Sequence, residues 1–168
     1  TVPFKRSVIR FLDQLTPLAE KAQSVNTIFK RDNKIIGENT DIGGFEQGLK
    51  HINYNVKNKK IFILGAGGVV PSIIIALKKL GASKIILSNR TKEKAEDLKK
   101  IYSDLEIIDW GKIIDFDMII NATSLGLKNT DEIKLNYTKI GSNKLFYDVI
   151  YNPDQTNFLK KAELMGNK

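Results

Sequence analysis

One stretch decides the fold of this chain: Lys60-Ile61-Phe62-Ile63-Leu64-Gly65-Ala66-Gly67-Gly68-Val69-Val70-Pro71-Ser72. The apolar residues 61–64 predict a strand that is buried on both faces, and glycines follow it without a spacer. The apolar run 69–80 then predicts a helix that stops at Gly81, since glycine is typical of the position just past a helix end. A strand, a glycine turn and a helix in this order are typical of a nucleotide-binding unit.

The glycine turn has a physical reason in such a unit. The first glycine, Gly65, permits a tight turn, and the second, Gly67, lets a pyrophosphate approach the backbone, while the helix start offers free N–H groups. The third small position of the usual motif is occupied by Val70, with Pro71 beside it. The motif alone leaves two alternatives open, a dinucleotide site and a plain glycine-rich turn.

A second motif follows the next predicted strand, 84–88. Asn89-Arg90-Thr91 stands about 20 residues past the glycines, where a dinucleotide-binding fold reads the adenosine ribose. An enzyme that uses NAD favours Asp or Glu there, whereas Asn89 and Arg90 offer hydrogen-bond donors and a cation. This chemistry suits the 2′-phosphate of NADP. The alternative is that Arg90 is a solvated residue at a strand end.

From residue 42 onward, strands and helices alternate. After the strand 61–64 and the helix 69–80, the patterns predict strands at 84–88, 105–108, 116–121 and 145–150, and helices near 92–102 and 157–165. This alternation predicts an α/β fold with a doubly wound, Rossmann-type, mainly parallel sheet. We assign residues 42–168, which begin with a helix at 42–52, to that domain.

Residues 1–41 do not follow this alternation. They predict a helix with Val8, Phe11, Leu12 and Leu15 on one face, a short helix that starts at Thr16-Pro17, and strands at 25–30 and 34–38. Thr40 or Asp41 is a candidate cap of the helix that follows. We therefore interpret 1–41 as the tail of a different module.

Composition narrows the class of protein. Hydrophobic residues make up 42% and charged residues 27%, which are ordinary globular values, and no apolar run is long enough for a membrane span. A net charge of +8 is compatible with a nucleic-acid partner, but the arginines are few and the lysines are scattered along the sequence, which argues against a nucleic-acid-binding surface. The lack of cysteine excludes disulfides and thiolate metal sites and is compatible with the cytoplasm. We predict a small-molecule substrate, no metal, no nucleic acid and no membrane.

Several segments coincide with one family. The chain resembles shikimate dehydrogenase, an NADP-dependent enzyme that reduces 3-dehydroshikimate to shikimate in the pathway to chorismate and the aromatic amino acids. The segments that carry the resemblance occur in the family's order; they are 1–5 (TVPFK), 25–27 (VNT), 37–41 (GENTD), 65–68 (GAGG), 89–91 (NRT), 121–126 (NATSLG) and 147–153 (YDVIYNP), with Thr156 and Phe158-Leu159.

The resemblance implies roles for individual residues in the reaction. Lys5 and Asp41 become the catalytic pair, with Thr1 and Asn26 at the substrate's polar groups and Tyr151 near its ring. A ketone that accepts hydride builds negative charge on oxygen, and a lysine supplies a proton or a cation there. A nearby carboxylate keeps that lysine charged and oriented. Without the resemblance, Lys5 reads as an exposed lysine and Asp41 as a helix cap.

The resemblance also implies the cofactor site. The pyrophosphate would lie at the glycine turn, the 2′-phosphate at the second motif with Lys94 as a further cation, and the nicotinamide near Thr123. The residues implied for the whole cofactor are Gly65, Ala66, Gly67, Gly68, Asn89, Arg90, Thr91, Lys94, Thr123 and Val149. The cofactor expected is NADP, and the protein is expected to be a monomer or a homodimer.

The chain departs from the family at both ends. The serine pair that binds the substrate carboxylate would precede residue 1, and a glutamine that contacts substrate would follow residue 168. The resemblance thus makes residues 1–41 the remnant of an α/β substrate-binding domain and predicts a fragment of the enzyme. Whether this fragment turns over substrate is left open. Two alternatives stay open, a quinate/shikimate dehydrogenase with dual cofactor use and a non-catalytic nucleotide-binding relative.

Overall fold

The computed structural model describes residues 3–168. A 3-10 helix, Ser7–Phe11, precedes the strands, and a second one, Tyr137–Lys139, precedes the last strand. The elements in chain order are β1 (Gln14–Leu15), α1 (Pro17–Ala22), β2 (Thr27–Arg31), β3 (Lys34–Glu38), α2 (Asp41–His51), β4 (Lys60–Leu64), α3 (Val70–Lys79), β5 (Lys84–Ser88), α4 (Lys92–Ile101), β6 (Glu106–Ile108), β7 (Met118–Asn121), β8 (Leu145–Asp148) and α5 (Asn157–Leu164).

The chain forms two compact units. The N-terminal unit contains the residues up to Lys57 together with Gly68–Gly81, and the sheet unit contains Asn58–Gly67 and Ala82–Lys168. Helices α2 and α3 pack against each other and both belong to the N-terminal unit. The predicted boundary between functional domains, at 41/42, stays a prediction. The compact units are defined by contacts between residues, and they divide the chain after Lys57, Gly67 and Gly81.

The sheet unit confirms the predicted fold class. Its sheet has the order β6-β5-β4-β7-β8, and every pair of neighbours is parallel. This is a Rossmann-type arrangement, with β4 at the centre because its residues 61–64 are apolar and wholly buried. Helix α4 packs against β5 and β6, and α5 packs against β8. Four phenylalanine rings form the core beneath, in successive contact: Phe62, Phe116, Phe146 and Phe158.

The last two strands are shorter than predicted. Strand β7 begins at Met118, and β8 ends at Asp148 rather than at Ile150. The early end of β8 has a local cause, because the carboxylate of Asp148 accepts a hydrogen bond from the backbone N–H of Ile150 at 2.9 Å. The carboxyl ends of β7 and β8 are thereby followed at once by turns rather than by further strand.

The N-terminal unit contains a smaller sheet of order β1-β3-β2. The predicted helix over 8–15 is wrong beyond Phe11, since Leu12 is extended and Leu15 lies in β1, paired in parallel with Gly37. Tertiary contacts decide this, because the carboxylate of Asp13 accepts from the N–H of Ile35 at 2.6 Å and fixes β1 beside β3. Apolar spacing alone did not reveal that partner.

Other local predictions of this unit are confirmed. Thr16 caps α1 by accepting from the N–H of Ala19 at 3.4 Å, and Pro17 is the first helical residue. Strands β2 and β3 form an antiparallel hairpin whose turn, Asp32-Asn33, has positive φ at both residues. Within residues 3–168, the helices are too short or too polar to cross a membrane.

Candidate active site

Lys5 and Asp41 meet in the N-terminal unit. The ammonium of Lys5 donates to the Oδ2 atom of Asp41 at 2.5 Å, and the two side chains are only 11% and 21% exposed. The backbone holds each partner in place: the carbonyl of Lys5 accepts from the N–H of Val25 at 2.8 Å, and Asp41 is the first residue of α2. Residues that are 36 positions apart in sequence thus form a partly buried ion pair.

Asn26 joins the pair. Its amide nitrogen donates to the Oδ1 atom of Asp41 at 2.9 Å and to the hydroxyl of Thr40 at 2.8 Å. Its amide oxygen accepts from the N–H of Thr40 at 2.9 Å. Both carboxylate oxygens of Asp41 therefore have a side-chain partner, one charged and one neutral, and the carboxylate has a fixed orientation.

Helix α2 is capped by neither of the two predicted residues. Thr40 makes no capping hydrogen bond with its side chain, and the carboxylate of Asp41 faces Lys5 and Asn26. The amide oxygen of Asn39 accepts from the N–H of Ile42 at 3.2 Å instead. Our sequence reasoning missed Asn39, although asparagine just before a helix is a capping signal. With the cap supplied elsewhere, Asp41 remains available to Lys5.

The arrangement can act on a developing oxyanion. A lysine ammonium has three N–H donors, and Asp41 takes one of them. The remaining donors can bond to a ligand oxygen, and the ammonium can also give up a proton. A paired, partly buried ammonium of fixed orientation is suited to general acid catalysis and to stabilising negative charge.

Gly65 is required at the end of β4. Its φ is +109°, and a Cβ atom there would lie 2.6 Å from the carbonyl oxygen of Ala122. The nearest atom to a Cβ on Gly67 is the same oxygen at 3.9 Å, so space is left beside this residue. Both glycines belong to the sheet unit. The turn therefore brings its backbone close to the end of β7 and leaves its outer side open.

The start of α3 is suited to an anion. Within residues 3–168 it has no side-chain cap, and its first turn contains no acidic residue. Pro71 lies in the first turn, where an N–H would have no partner inside the helix, so the helix accommodates this departure from the motif. Free N–H groups and a positive dipole end favour a phosphate at such a terminus.

Gly68 lies beside the catalytic pair. It belongs to the N-terminal unit, and a Cβ atom on it would lie 3.5–3.8 Å from the aliphatic stem of Lys5. The carbonyl of Gly68 accepts from the hydroxyl of Ser24 at 2.9 Å. One residue of the glycine motif is therefore fixed against the segment that carries Lys5.

The second motif is exposed and sparsely bonded. The amide of Asn89 donates to the carbonyl of Thr91 at 2.6 Å, which shapes the turn into α4. In the part of the chain that the structure describes, neither Arg90 nor Lys94 forms an ion pair. Both cations are exposed and are available to an anionic ligand.

A neighbouring lysine is already paired. Asp109 accepts from Lys112 and from Lys92, each at 2.8 Å. The hydrogen bond from Lys112, and to a smaller extent that from Lys92, lowers the pKa of Asp109 to about 2. The hydrogen bond to Asp109 in turn raises the pKa of Lys92. Lys92 therefore differs from Arg90 and Lys94 in having a carboxylate partner before any ligand binds.

Two of the implied cofactor residues, Thr123 and Val149, belong to a hydrogen-bonded network in the sheet unit. Thr123 donates its hydroxyl to the amide oxygen of Asn121 at 2.7 Å, and the N–H of Val149 donates to the carbonyl of Asn121 at 3.1 Å. Asn121 is wholly buried, and its amide nitrogen donates to the carboxylate of Asp148 at 3.0 Å. Asn121 and Asp148 thus fix the turns after β7 and β8, a role that we did not assign from sequence.

The structure does not test the roles implied for two further substrate residues. Thr1 lies outside the described residues. Tyr151 belongs to the sheet unit and is 89% exposed. The structure brings together Lys5, Asp41 and Asn26; the roles of all the implied residues stay predictions.

Comparisons with known proteins match this chain to one protein family. The model of the family described as shikimate / quinate 5-dehydrogenase matches residues 47–149. A relative named shikimate dehydrogenase (NADP(+)), from Pelagibacter ubique, is 66% identical over 99% of this chain. The chain spans 63% of that relative, so it is similar to somewhat less than two thirds of its length.

Solved structures agree with this comparison. The crystal structure of shikimate dehydrogenase from Aquifex aeolicus matches with a TM-score of 0.91 and 42% identity, over 100% of this chain and 62% of that one. A shikimate dehydrogenase crystallised with NADP+ matches with a TM-score of 0.92 and 34% identity, over 100% of this chain and 62% of the other.

Proposed function

Because the chain belongs to the shikimate / quinate 5-dehydrogenase family, we propose that it carries the cofactor-binding part and the catalytic pair of an NADP-dependent shikimate dehydrogenase. The reaction is the reversible, NADPH-dependent reduction of 3-dehydroshikimate to shikimate. The observation that carries the proposal is the ion pair of Lys5 and Asp41, which Asn26 completes. An enzyme of this kind takes part in the biosynthesis of chorismate and aromatic amino acids, and we place it in the cytoplasm.

Bound NADPH supplies a hydride to the ketone carbon. As the carbonyl bond opens, its oxygen gains negative charge and takes a proton from the ammonium of Lys5, which gives the alcohol. In the reverse direction the neutral amine of Lys5 accepts the hydroxyl proton. Lys5 thus acts as general acid or base and stabilises the oxyanion, which are contributions that each lower the barrier by several kcal/mol, on the order of 10²–10⁴-fold in rate.

Asp41 and Asn26 position Lys5. The carboxylate accepts one ammonium N–H at 2.5 Å and thereby aims the remaining donors away from itself. The amide of Asn26 donates to the other oxygen of Asp41, and the resemblance also places Asn26 at the substrate. Thr1 and Tyr151 complete the proposed substrate residues, following the resemblance.

The residues fit NADP. Gly65 permits the tight turn, and the uncapped start of α3 suits the pyrophosphate. Arg90 and Lys94 are unpaired cations among residues 3–168, and with Asn89 and Thr91 they suit a 2′-phosphate that NAD lacks. Thr123 and Val149 would lie on the nicotinamide side, where the network through Asn121 fixes their backbone.

A quinate dehydrogenase is the second candidate, since the family description includes both substrates. Both substrates offer hydroxyls that Lys5 and Asn26 would contact, so these residues do not distinguish them. Arg90 favours NADP over NAD, which argues against dual cofactor use and leaves the choice of substrate to the assay. Monomer or homodimer remains a prediction.

Two assays test the proposal. The first titrates the 168-residue chain with NADPH and with NADH by fluorescence. The second measures NADP reduction by shikimate and, separately, by quinate, using the chain alone and a chimera in which the flanking segments of the Pelagibacter ubique relative are joined to it. We expect tighter binding of NADPH than NADH, and turnover of shikimate by the chimera.

The outcomes of these assays distinguish the candidate functions and cofactors. Faster turnover of quinate than of shikimate would assign the second candidate function. Binding of NADPH without turnover by the chimera would favour a non-catalytic relative. Equal binding of the two nucleotides, or of neither, would contradict the proposed cofactor.

A further inference from the structure

Three buried polar residues lie behind the catalytic pair without belonging to it. Ser24, Asn39 and Ser72 are 0%, 2% and 0% exposed, and all three lie in the N-terminal unit. They come from the loop before β2, from the residues before α2 and from the first turn of α3. Neither the proposed reaction nor the cofactor site uses them.

The amide of Asn39 is fully bonded at the centre of these residues. Its nitrogen donates to the carbonyl of Ser24 and to the hydroxyl of Ser72, each at 2.8 Å. Its oxygen accepts from the N–H of Ile42 at 3.2 Å. A buried amide with both donors and its oxygen engaged has one preferred orientation, since any rotation leaves a buried polar group without a partner.

Two of the three bonds of the Asn39 amide lead to the backbone segments that carry the catalytic pair. The N–H that it caps belongs to Ile42, the residue after Asp41, so the amide fixes the start of α2. The carbonyl that it holds belongs to Ser24, and the next N–H along the chain, that of Val25, donates to the carbonyl of Lys5 at 2.8 Å. Asn39 therefore bridges the two backbone segments from which Lys5 and Asp41 project.

We propose that Asn39 is a positioning residue for the Lys5–Asp41 pair and that the hydroxyl of Ser72, in the first turn of α3, sets its orientation. This inference rests on the proposed function of the pair. Through Ser72, the helix start that would bind the pyrophosphate is hydrogen-bonded to the amide that aligns the acid catalyst. The hydroxyl of Ser24 donates to the carbonyl of Gly68, which is a second hydrogen bond between these buried residues and the segment that leads into α3.

The variant Ser72→Ala tests this with a small change. It removes one acceptor of Asn39 and leaves the other two bonds. The measurement is the rate at which acetic anhydride labels Lys5 in the 168-residue chain, read by mass spectrometry of the peptide that contains it. A loosened pair exposes the amine, and we expect labelling at least about threefold faster.

Two further variants separate positioning from stability. Ile73→Val removes a methyl from the next residue of the same helix, which is 1% exposed, and it changes no hydrogen-bonding side chain. It should lower stability yet label Lys5 at the parent rate. Ser72→Thr keeps the hydroxyl and should restore slow labelling.

Kinetics supply a second readout in the chimera. Ser72→Ala should lower kcat about tenfold while KM for shikimate and Kd for NADPH stay within about twofold, because a displaced catalyst slows the chemical step without removing a ligand contact. Ile73→Val should leave kcat unchanged.

The result that would overturn the inference is labelling of Lys5 at the same rate in the parent and in Ser72→Ala, or an equal acceleration in Ile73→Val. If Ser72→Thr does not fold, the contrast between Ser72→Ala and Ile73→Val decides. If the unaltered chimera has no turnover, the proposed function is wrong. The labelling of Lys5 still tests the role of Asn39, because it does not depend on turnover.

Discussion

The Lys5–Asp41 pair and the stretch Asn89–Lys94 are both proposed to handle charge, yet they are built in opposite ways. The pair is mostly buried, and each oxygen of Asp41 has its own donor. In the stretch, Arg90 and Lys94 are exposed and have no ion pair among residues 3–168. Its one side-chain bond within the turn is from Asn89 to the backbone.

The difference matches the two tasks. A catalyst gains rate when its donors are oriented before the reaction, since no reorganisation is then needed as charge develops. A phosphate-binding residue gains affinity when its charge is unpaired before the ligand arrives, since no existing partner has to be displaced.

Lys5→Ala in the chimera should lower kcat about 10³-fold, because the proton donor is lost, while Kd for NADPH changes less than about twofold. Steady-state rates with shikimate and a fluorescence titration measure both quantities. Lys21→Ala, on the exposed side of α1, is the matched control and should leave kcat unchanged. Equal rates in Lys5→Ala and the parent would remove Lys5 from the mechanism.

Asn39→Ala should lower the free energy of unfolding by about 3 kcal/mol, because it orphans three buried hydrogen-bond partners. Asn89→Ala loses one local bond at a partly exposed residue and should cost less than about 1 kcal/mol. Urea unfolding of both variants compares the two regions directly. Similar losses would mean that the two regions do not differ in rigidity as the structure indicates.

Arg90→Asp should weaken NADPH roughly 100-fold and leave NADH within about threefold, because a charge-assisted hydrogen bond is replaced by repulsion of the 2′-phosphate. Lys99→Asp, in the last turn of α4, makes the same charge change away from the motif and controls for the net field. A uniform loss for both nucleotides would refute the role of Arg90.

The smallest effect concerns Asp109, whose pKa is lowered to about 2. A lowered folded-state pKa adds stability above the ordinary value of 3.8, and this contribution disappears as the pH falls through about 2. An NMR titration of the carboxyl should therefore have its midpoint near 2. Lys112→Ala should raise the midpoint more than Lys92→Ala, since the bond from Lys112 is the larger cause. A parent midpoint near 3.8 would mean that these exposed pairs are not formed.

The sheet unit was largely predictable from sequence. The apolar run before Gly65 predicts a buried strand, and strand–helix alternation predicts parallel neighbours, because local propensity and burial there indicate the same structure. The positions of Thr16-Pro17 and of Gly81 likewise predicted helix ends from side-chain chemistry alone.

Residues 7–15 show where such reasoning fails. The spacing of Val8, Phe11 and Leu15 is helical, but Leu15 pairs with Gly37 in a parallel bridge. A short apolar segment satisfies either pattern, so the partner strand decides. Asn39 was missed for a related reason: its residue type signals a cap, but its bonds to Ser24 and Ser72 join segments that are distant in sequence.

By itself, the sequence determined the elements that depend on neighbouring residues: the buried strand, the glycine turn that Gly65 makes possible, and the helix ends. The resemblance implied that Lys5 and Asp41 form a pair, but only the tertiary structure gave their contact. It alone decided that Asn39 bridges their backbones and that Gly68 and α3 belong with them in the N-terminal unit. The physical reason is the distance along the chain over which each interaction acts. Propensity and capping act within a few residues, whereas a buried hydrogen bond or ion pair forms wherever folding brings complementary groups out of water together.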